Sequence, residues 1–166
     1  MDRLWAPWRM QYILSGDETA DECIFCKFPA AGPEHHREHL ILHAGERAFV
    51  MLNKFPYNNG HVMVIPRAHA ADPSALPVED WHAVNGLLLV TIEILRETLN
   101  AHGFNVGMNL GRVAGAGIDR HLHWHVVPRW NGDTNFMPVT GEVKVISEHL
   151  DGTWQRLRPR FEAIAT

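Results

Sequence analysis

Two hydrophobic periods run along this chain. Between residues 78 and 100, Trp81, Val84, Leu88, Ile92, Leu95 and Leu99 recur at spacings of three and four. That spacing predicts one long helix with a single apolar stripe, and Gly103 is the expected stop. Elsewhere the apolar runs are short and bounded by turn residues, the mark of strands. Residues 39–43 and 48–53 predict two strands around a turn at Gly45 and Glu46. Asn58, Asn59 and Gly60 predict a turn into a strand at 61–65, which Pro66 ends. Further strands are expected at 104–110, at 121–127 (ended by Pro128) and, as a short last one, at 143–146. Strands dominate and one long helix is interposed. The class implied is α+β, a sheet with a helix packed on one face.

The chain of 166 residues is long enough for one domain with a sizeable core. A net charge of −4 gives no electrostatic footprint for a nucleic-acid polymer. No apolar run approaches the length of a membrane span, and the first residues carry no secretory apolar segment. Trp5, Pro7, Trp8 and Tyr12 mark an aromatic N-terminal arm, expected to pack on the domain or on a partner subunit. A Pro/Gly-rich stretch at 28–33 is expected to link that arm to the body. The layout expected is an arm at 1–33, a core domain at 34–140 and a C-terminal extension packed on it at 141–166. Cys23 and Cys26 are the chain's two cysteines, too few for a disulfide framework, so a cytoplasmic location is expected.

Twelve histidines are many for this length. Three of them, His121, His123 and His125, alternate with Leu122, Trp124 and Val126. On a strand the histidines share one face and the apolar residues share the other, toward the core. A generic solvated face would use Lys, Glu, Thr and Ser. Three imidazoles in a row are costly to bury without partners and imply chemistry. They are compatible with a zinc hydrolase site, flanked by Asp119 and Asp133, or with a nucleophilic histidine oriented by its neighbours. The preceding loop, from Asn109 to Gly117, holds three glycines between 111 and 117 and the basic Arg112. Its amides can form a nest for phosphate oxygens, which favours phosphoryl or nucleotidyl chemistry.

The His-Leu-His-Trp-His-Val-Val run resembles the signature of the histidine-triad (HIT) superfamily. Asn53-Lys54-Phe55-Pro56, the Gly60-His61 strand and the Pro128–Asp133 tail extend the likeness. Together with Trp-Ala-Pro-Trp-Arg and Cys-Ile-Phe-Cys near the N-terminus, they resemble the bacterial branch that includes diadenosine tetraphosphate phosphorylases. The resemblance implies a HIT-like antiparallel sheet. It also implies that His123 attacks the α-phosphorus of a nucleoside polyphosphate to give a nucleotidyl-histidine, which water or inorganic phosphate then resolves. His125 would hydrogen-bond the bridging oxygen or, as an imidazolium, offset developing charge. Asn109 and the amides of Gly115, Ala116 and Gly117 would hold the α-phosphate, and Asn53 the ribose. His61 would support the catalytic strand from behind. No metal is needed at the phosphorus. Many relatives carry Ser, Thr or Gln just before the triad. Here the stretch is Gly117-Ile118-Asp119-Arg120, and Arg112 is the residue expected to supply the missing charge.

The spacing of Cys23 and Cys26 suits two thiolates on one zinc. By the same resemblance, His69 and His121 complete a closed structural Cys₂His₂ site. A homodimer is implied too. Beside this reading stand a zinc-dependent hydrolase using all three triad histidines and a non-catalytic nucleotide-binding module.

Overall fold

Five strands form one antiparallel sheet in a computed structural model that describes residues 23–134 and 148–164. The aromatic arm at Trp5–Tyr12 and the strand expected at 143–146 lie outside the described residues. The elements run α1 (Ile24–Ala30), β1 (Ile41–Ala44), β2 (Ala48–Leu52), β3 (Val62–Pro66), α2 (Val78–Leu99), β4 (Gly103–Gly107), β5 (Trp124–Arg129) and α3 (Leu150–Glu162). The sheet order is β1-β2-β3-β5-β4, with every neighbouring pair antiparallel. The fold is α+β, as the hydrophobic periods imply.

α2 lays its stripe on one face of the sheet. Val84, Leu88, Leu95 and Leu99 join Val50, Leu52, Val62, Val64, Leu122, Trp124 and Val126 in the larger core cluster. Trp81 meets Trp124 edge to face at 5.2 Å, a contact that contributes about 0.5–1.5 kcal/mol beyond its buried area. The opposite face is also covered. Phe49, Met51, Met63 and Ile65 alternate with the residues above and pack with Phe25 of α1 in a second cluster. β2 and β3 are therefore buried along their whole length, which explains why Ala48–Leu52 and Val62–Pro66 read as continuous apolar runs.

Several expected boundaries move. The long helix ends at Leu99, one residue short of the expected Asn100, because Asn100 itself takes the left-handed conformation (φ 51°) that closes a helix, in place of a stop at Gly103. The stretch at 28–33 is only partly a linker, since Phe28 to Ala30 belong to α1. The first strand begins at Ile41, because His35 to Leu40 are taken up by hydrogen-bonded turns, with His39 N–H donating to the His35 carbonyl. β4 ends at Gly107 and not at 110. β5 begins at Trp124, because the Leu122 N–H donates to the Ala70 carbonyl instead of to a strand partner. It also runs through Pro128, which ends no strand here.

α3 was not marked by the dominant periods. It packs Leu157 and Phe161 into the larger cluster, and Trp154 Nε1 donates to the Ile41 carbonyl at 3.1 Å. Gly60 shows the tightest steric demand. It sits at φ +68°, and a Cβ there would collide with a Leu99 methyl. A side chain there would be strained and would push Leu99 aside where the turn before β3 docks on the end of α2.

Candidate active site

The segment 121–125 distributes its three histidines to three different tasks. His123 is buried, at 6% exposure. Its Nδ1–H donates to the His121 carbonyl at 2.9 Å. In the neutral ring that bond puts the lone pair on Nε2. Burial pushes the His123 pKa down, against a smaller upward pull from the bond to the His121 carbonyl. The ring is thus held neutral, in one tautomer, with Phe25 packed 5.1 Å away.

His125 is the end of a hydrogen-bond relay. The Tyr57 backbone N–H donates to His61 Nδ1 at 3.0 Å, so neutral His61 carries its proton on Nε2. That Nε2 lies 2.9 Å from His125 Nδ1 and donates to it. His125 then keeps its own proton on Nε2 and is a hydrogen-bond donor without being charged. An imidazolium at His125 would set an N–H against an N–H, so the relay favours the neutral donor over the cation the sequence also allowed. His61 is fully buried, and the Tyr57 ring lies 4.8 Å from it. His125 stands opposite Met63 on β3 and Gly107 on β4.

His121 turns away from both. Its Nε2–H donates to the Pro66 carbonyl at 2.9 Å, leaving Nδ1 toward Cys23 Sγ at 3.3 Å and Cys26 Sγ at 3.6 Å. His69 Nδ1 is 3.3 Å from Cys26 Sγ. The ligand atoms of Cys23, Cys26, His69 and His121 all lie within 4.8 Å of one another. Tetrahedral zinc with ordinary Zn–S and Zn–N bonds sets its ligands about 3.5 Å apart, so the donor set and its spacing fit that ion. The carbonyl behind His121 orients the ring as metal-binding histidines require. Burial pushes the Cys26 thiol pKa up, and neighbouring Cys23 adds to it.

The remaining expected residues fall on other segments. Asn53 is half-buried at the end of β2, and its Oδ1 accepts from the Phe55 N–H at 2.9 Å. Asn109 is half-buried just beyond β4. The glycine loop closes on itself more than expected. The Gly115 N–H donates to the Arg112 carbonyl and the Ala116 N–H to the Gly111 carbonyl, so two of the three expected cradle amides serve the turn. Gly117 is exposed. Arg112 pairs with Asp119 at 2.9 Å, and its charge is matched there. Asp133 pairs with Arg129. Both carboxylates that flank the histidines thus face arginines, and among the described residues the candidate metal clusters do not include His123 or His125.

Sequence reasoning missed Phe25 and Tyr57. Each had a signal: Phe25 lies inside the Cys-x-x-Cys spacing, and Tyr57 precedes the Asn-Asn-Gly-His turn.

The geometry defines a histidine-based site with a thiol–imidazole cluster beside it, and the comparisons agree in class. The HIT domain family matches residues 35–132, and the chain belongs to that family. It is 35% identical over 160 residues to the AP-4-A phosphorylase of Mycobacterium tuberculosis, covering 92% of this chain and 80% of that one. It is 28% identical to the adenosine 5'-monophosphoramidase hnt1 of Schizosaccharomyces pombe, over 77% of this chain and 95% of the relative. Among solved structures it resembles a zinc-bound histidine triad family protein from Mycobacterium smegmatis, with a TM-score of 0.66 and 25% identity. That likeness covers 85% of this chain and 94% of the other.

Proposed function

We propose a two-step nucleotidyl transfer through His123 for this chain, whose class is HIT-family nucleotide hydrolase or phosphorylase. The observation that carries it is the buried, neutral His123 with its Nδ1–H tied to the His121 carbonyl and its lone pair on Nε2. Nε2 attacks the α-phosphorus of a dinucleoside polyphosphate. The N–P bond forms as the bridging P–O bond breaks, and the electron pair leaves on the polyphosphate. That group needs no proton to depart near neutral pH, because phosphate second pKa values lie at about 6. His125 Nε2–H donates to the bridging oxygen and stabilises the charge that gathers there. The His121 carbonyl stabilises the Nδ1–H of the modified ring, which carries a positive charge. In the second step an acceptor oxygen attacks phosphorus, the N–P bond breaks with its electron pair returning to His123 Nε2 in the starting tautomer, and where the acceptor is water its proton passes to solvent. The relative's name supports inorganic phosphate as acceptor, with water as the hydrolytic alternative. Asn53 contacts the ribose, and Asn109 with the loop at Gly115, Ala116 and Gly117 borders the α-phosphate.

Cys23, Cys26, His69 and His121 would hold a structural zinc. With four protein ligands it has no open position and would supply only a cross-link between α1 and the start of the catalytic strand. Reduced thiols suit a cytoplasmic location. β4 is an edge strand with Val106 exposed, which supports a homodimer formed there. A monomeric mass in solution would remove that part.

The test is intact-protein mass spectrometry after brief mixing with diadenosine tetraphosphate, for the unmodified chain and His123→Ala, with and without phosphate. A nucleotidyl adduct in the unmodified chain alone is expected, with ADP appearing only when phosphate is present. Undiminished turnover by His123→Ala would overturn the reading.

A further inference from the structure

A second group of metal-ligating side chains lies outside the site just described. His35, Glu38 and His39 place one ligand atom each within 4.8 Å of one another, and they share no residue with the Cys/His cluster. We propose that His35, Glu38 and His39 form a solvent-open site for a borderline divalent cation such as zinc.

The backbone builds this arrangement. His35 and His39 are four residues apart on a helical turn, with the His39 N–H donating to the His35 carbonyl at 3.0 Å. Residues so spaced stand above one another on one face, and the residue at i+3 joins them. Leu40, at φ 59°, turns the chain out of the helical path, and the Ile41 N–H closes the turn on the His36 carbonyl at 2.7 Å. Arg37 fastens the same turn to α3 through both oxygens of Asp151, at 2.8 and 3.0 Å. The ligands therefore sit on a main chain that is fixed before any ion arrives.

The side chains are partly arranged as well. His39 stacks flat on Phe28 of α1, with ring centroids 4.1 Å apart and planes 3° from parallel. That contact limits the rotamers of the imidazole and lowers the entropy lost on binding. His35 Nδ1 is 3.2 Å from Glu38 Oε2, already close to the ligand separation a tetrahedral ion imposes. The two imidazoles lie 6.0 Å apart between centroids. The His35 and Glu38 side chains are 47% and 70% exposed, so an ion can enter from solvent and keep water in its remaining positions. Two imidazoles with one carboxylate select zinc, nickel or copper over magnesium and calcium, which prefer oxygen ligands throughout. With three protein ligands and no thiolate, this site is the weaker of the two and exchanges its ion freely.

The experiment is equilibrium dialysis of the full chain against zinc with metal quantified per chain, followed by cobalt substitution. The chain is compared with His35→Ala/His39→Ala, Glu38→Gln and Cys23→Ser/Cys26→Ser. Two classes of site are expected in the unmodified chain. The histidine variant should lose the weaker equivalent and keep the cobalt–thiolate absorption. Glu38→Gln, which preserves size, should weaken that equivalent alone, and the cysteine variant should retain it. If the histidine variant and Glu38→Gln both bind the same equivalents as the unmodified chain with the same affinities, the proposal is overturned. A weaker equivalent that vanishes only with the cysteines overturns it too.

Discussion

The two faces of the sheet are both buried at β2 and β3, yet they are built on opposite principles. The face under α2 is filled by aliphatic side chains and Trp124, with directional constraint only at a few tryptophan contacts. The other face has a smaller apolar cluster around Phe25 and then gives way to His123, His125 and, behind them, His61. Each of those rings is held by a hydrogen bond that fixes where its proton lies. Apolar packing tolerates small readjustments of shape, whereas a histidine relay fails when a single bond is reversed. The comparison implies that stability resides mainly on the first face and reactivity on the second, and that the two should separate on mutation.

The largest effect expected is on the covered face. Leu95 is fully buried against the sheet, and Leu95→Ala should cost about 2–5 kcal/mol through lost transfer energy and the cavity left behind. Urea denaturation would measure it. Turnover per folded molecule should stay unchanged. A fall in kcat matching the fall in stability would break the proposed separation.

On the reactive face, His61→Ala removes the donor that sets the His125 tautomer. The expected result is a loss in kcat of about 100-fold, the scale on which a positioned proton-handling group contributes. KM for diadenosine tetraphosphate should move little, and the metal bound per chain on dialysis against zinc should not change. A change confined to KM would make His61 a packing residue. It would also remove the relay from the mechanism.

How much of this was legible follows the same division. The covered face obeys simple periods, so α2, β2 and β3 stood out, and the alternation of Leu122, Trp124 and Val126 gave their side of the sheet correctly. α3 was missed because Gly152 and Pro159 interrupt it and polar residues dominate. Its trace was the spacing of three and four through Leu150, Thr153, Trp154, Leu157 and Phe161. The start of β5 was placed too early for a physical reason. His121 and Leu122 bond to the Pro66 and Ala70 carbonyls, a tertiary arrangement that period-two reasoning does not contain. The glycine loop likewise read as a nest, but its amides at Gly115 and Ala116 turn inward. The histidines of the candidate site were visible in the pattern, whereas their hydrogen-bond partners, and the packing of Phe25 and Tyr57 beside them, required the fold.

The smallest effect expected concerns a polar clasp at the edge of the sheet, where stability does depend on directed bonds. Asp133 accepts from Arg129 Nε and Nη2, at 2.6 and 2.9 Å, and from Asn58 Nδ2 at 2.9 Å. Asn58 also donates to the Pro128 carbonyl, so the clasp joins the turn before β3 to the end of β5. The Arg129 hydrogen bonds hold the Asp133 carboxyl well below its usual pKa of 3.8. Because the folded pKa is the lower one, the unfolded chain binds more protons between the two values. The stabilisation is present above the unfolded value and is lost as pH falls below about 4 and onward through the folded pKa. Asp133→Asn should therefore be slightly less stable near neutrality and show a flatter stability–pH curve in that acid range. Urea titrations at a series of pH values would reveal the difference, and parallel curves for the two proteins would show that the clasp contributes nothing linked to the Asp133 charge.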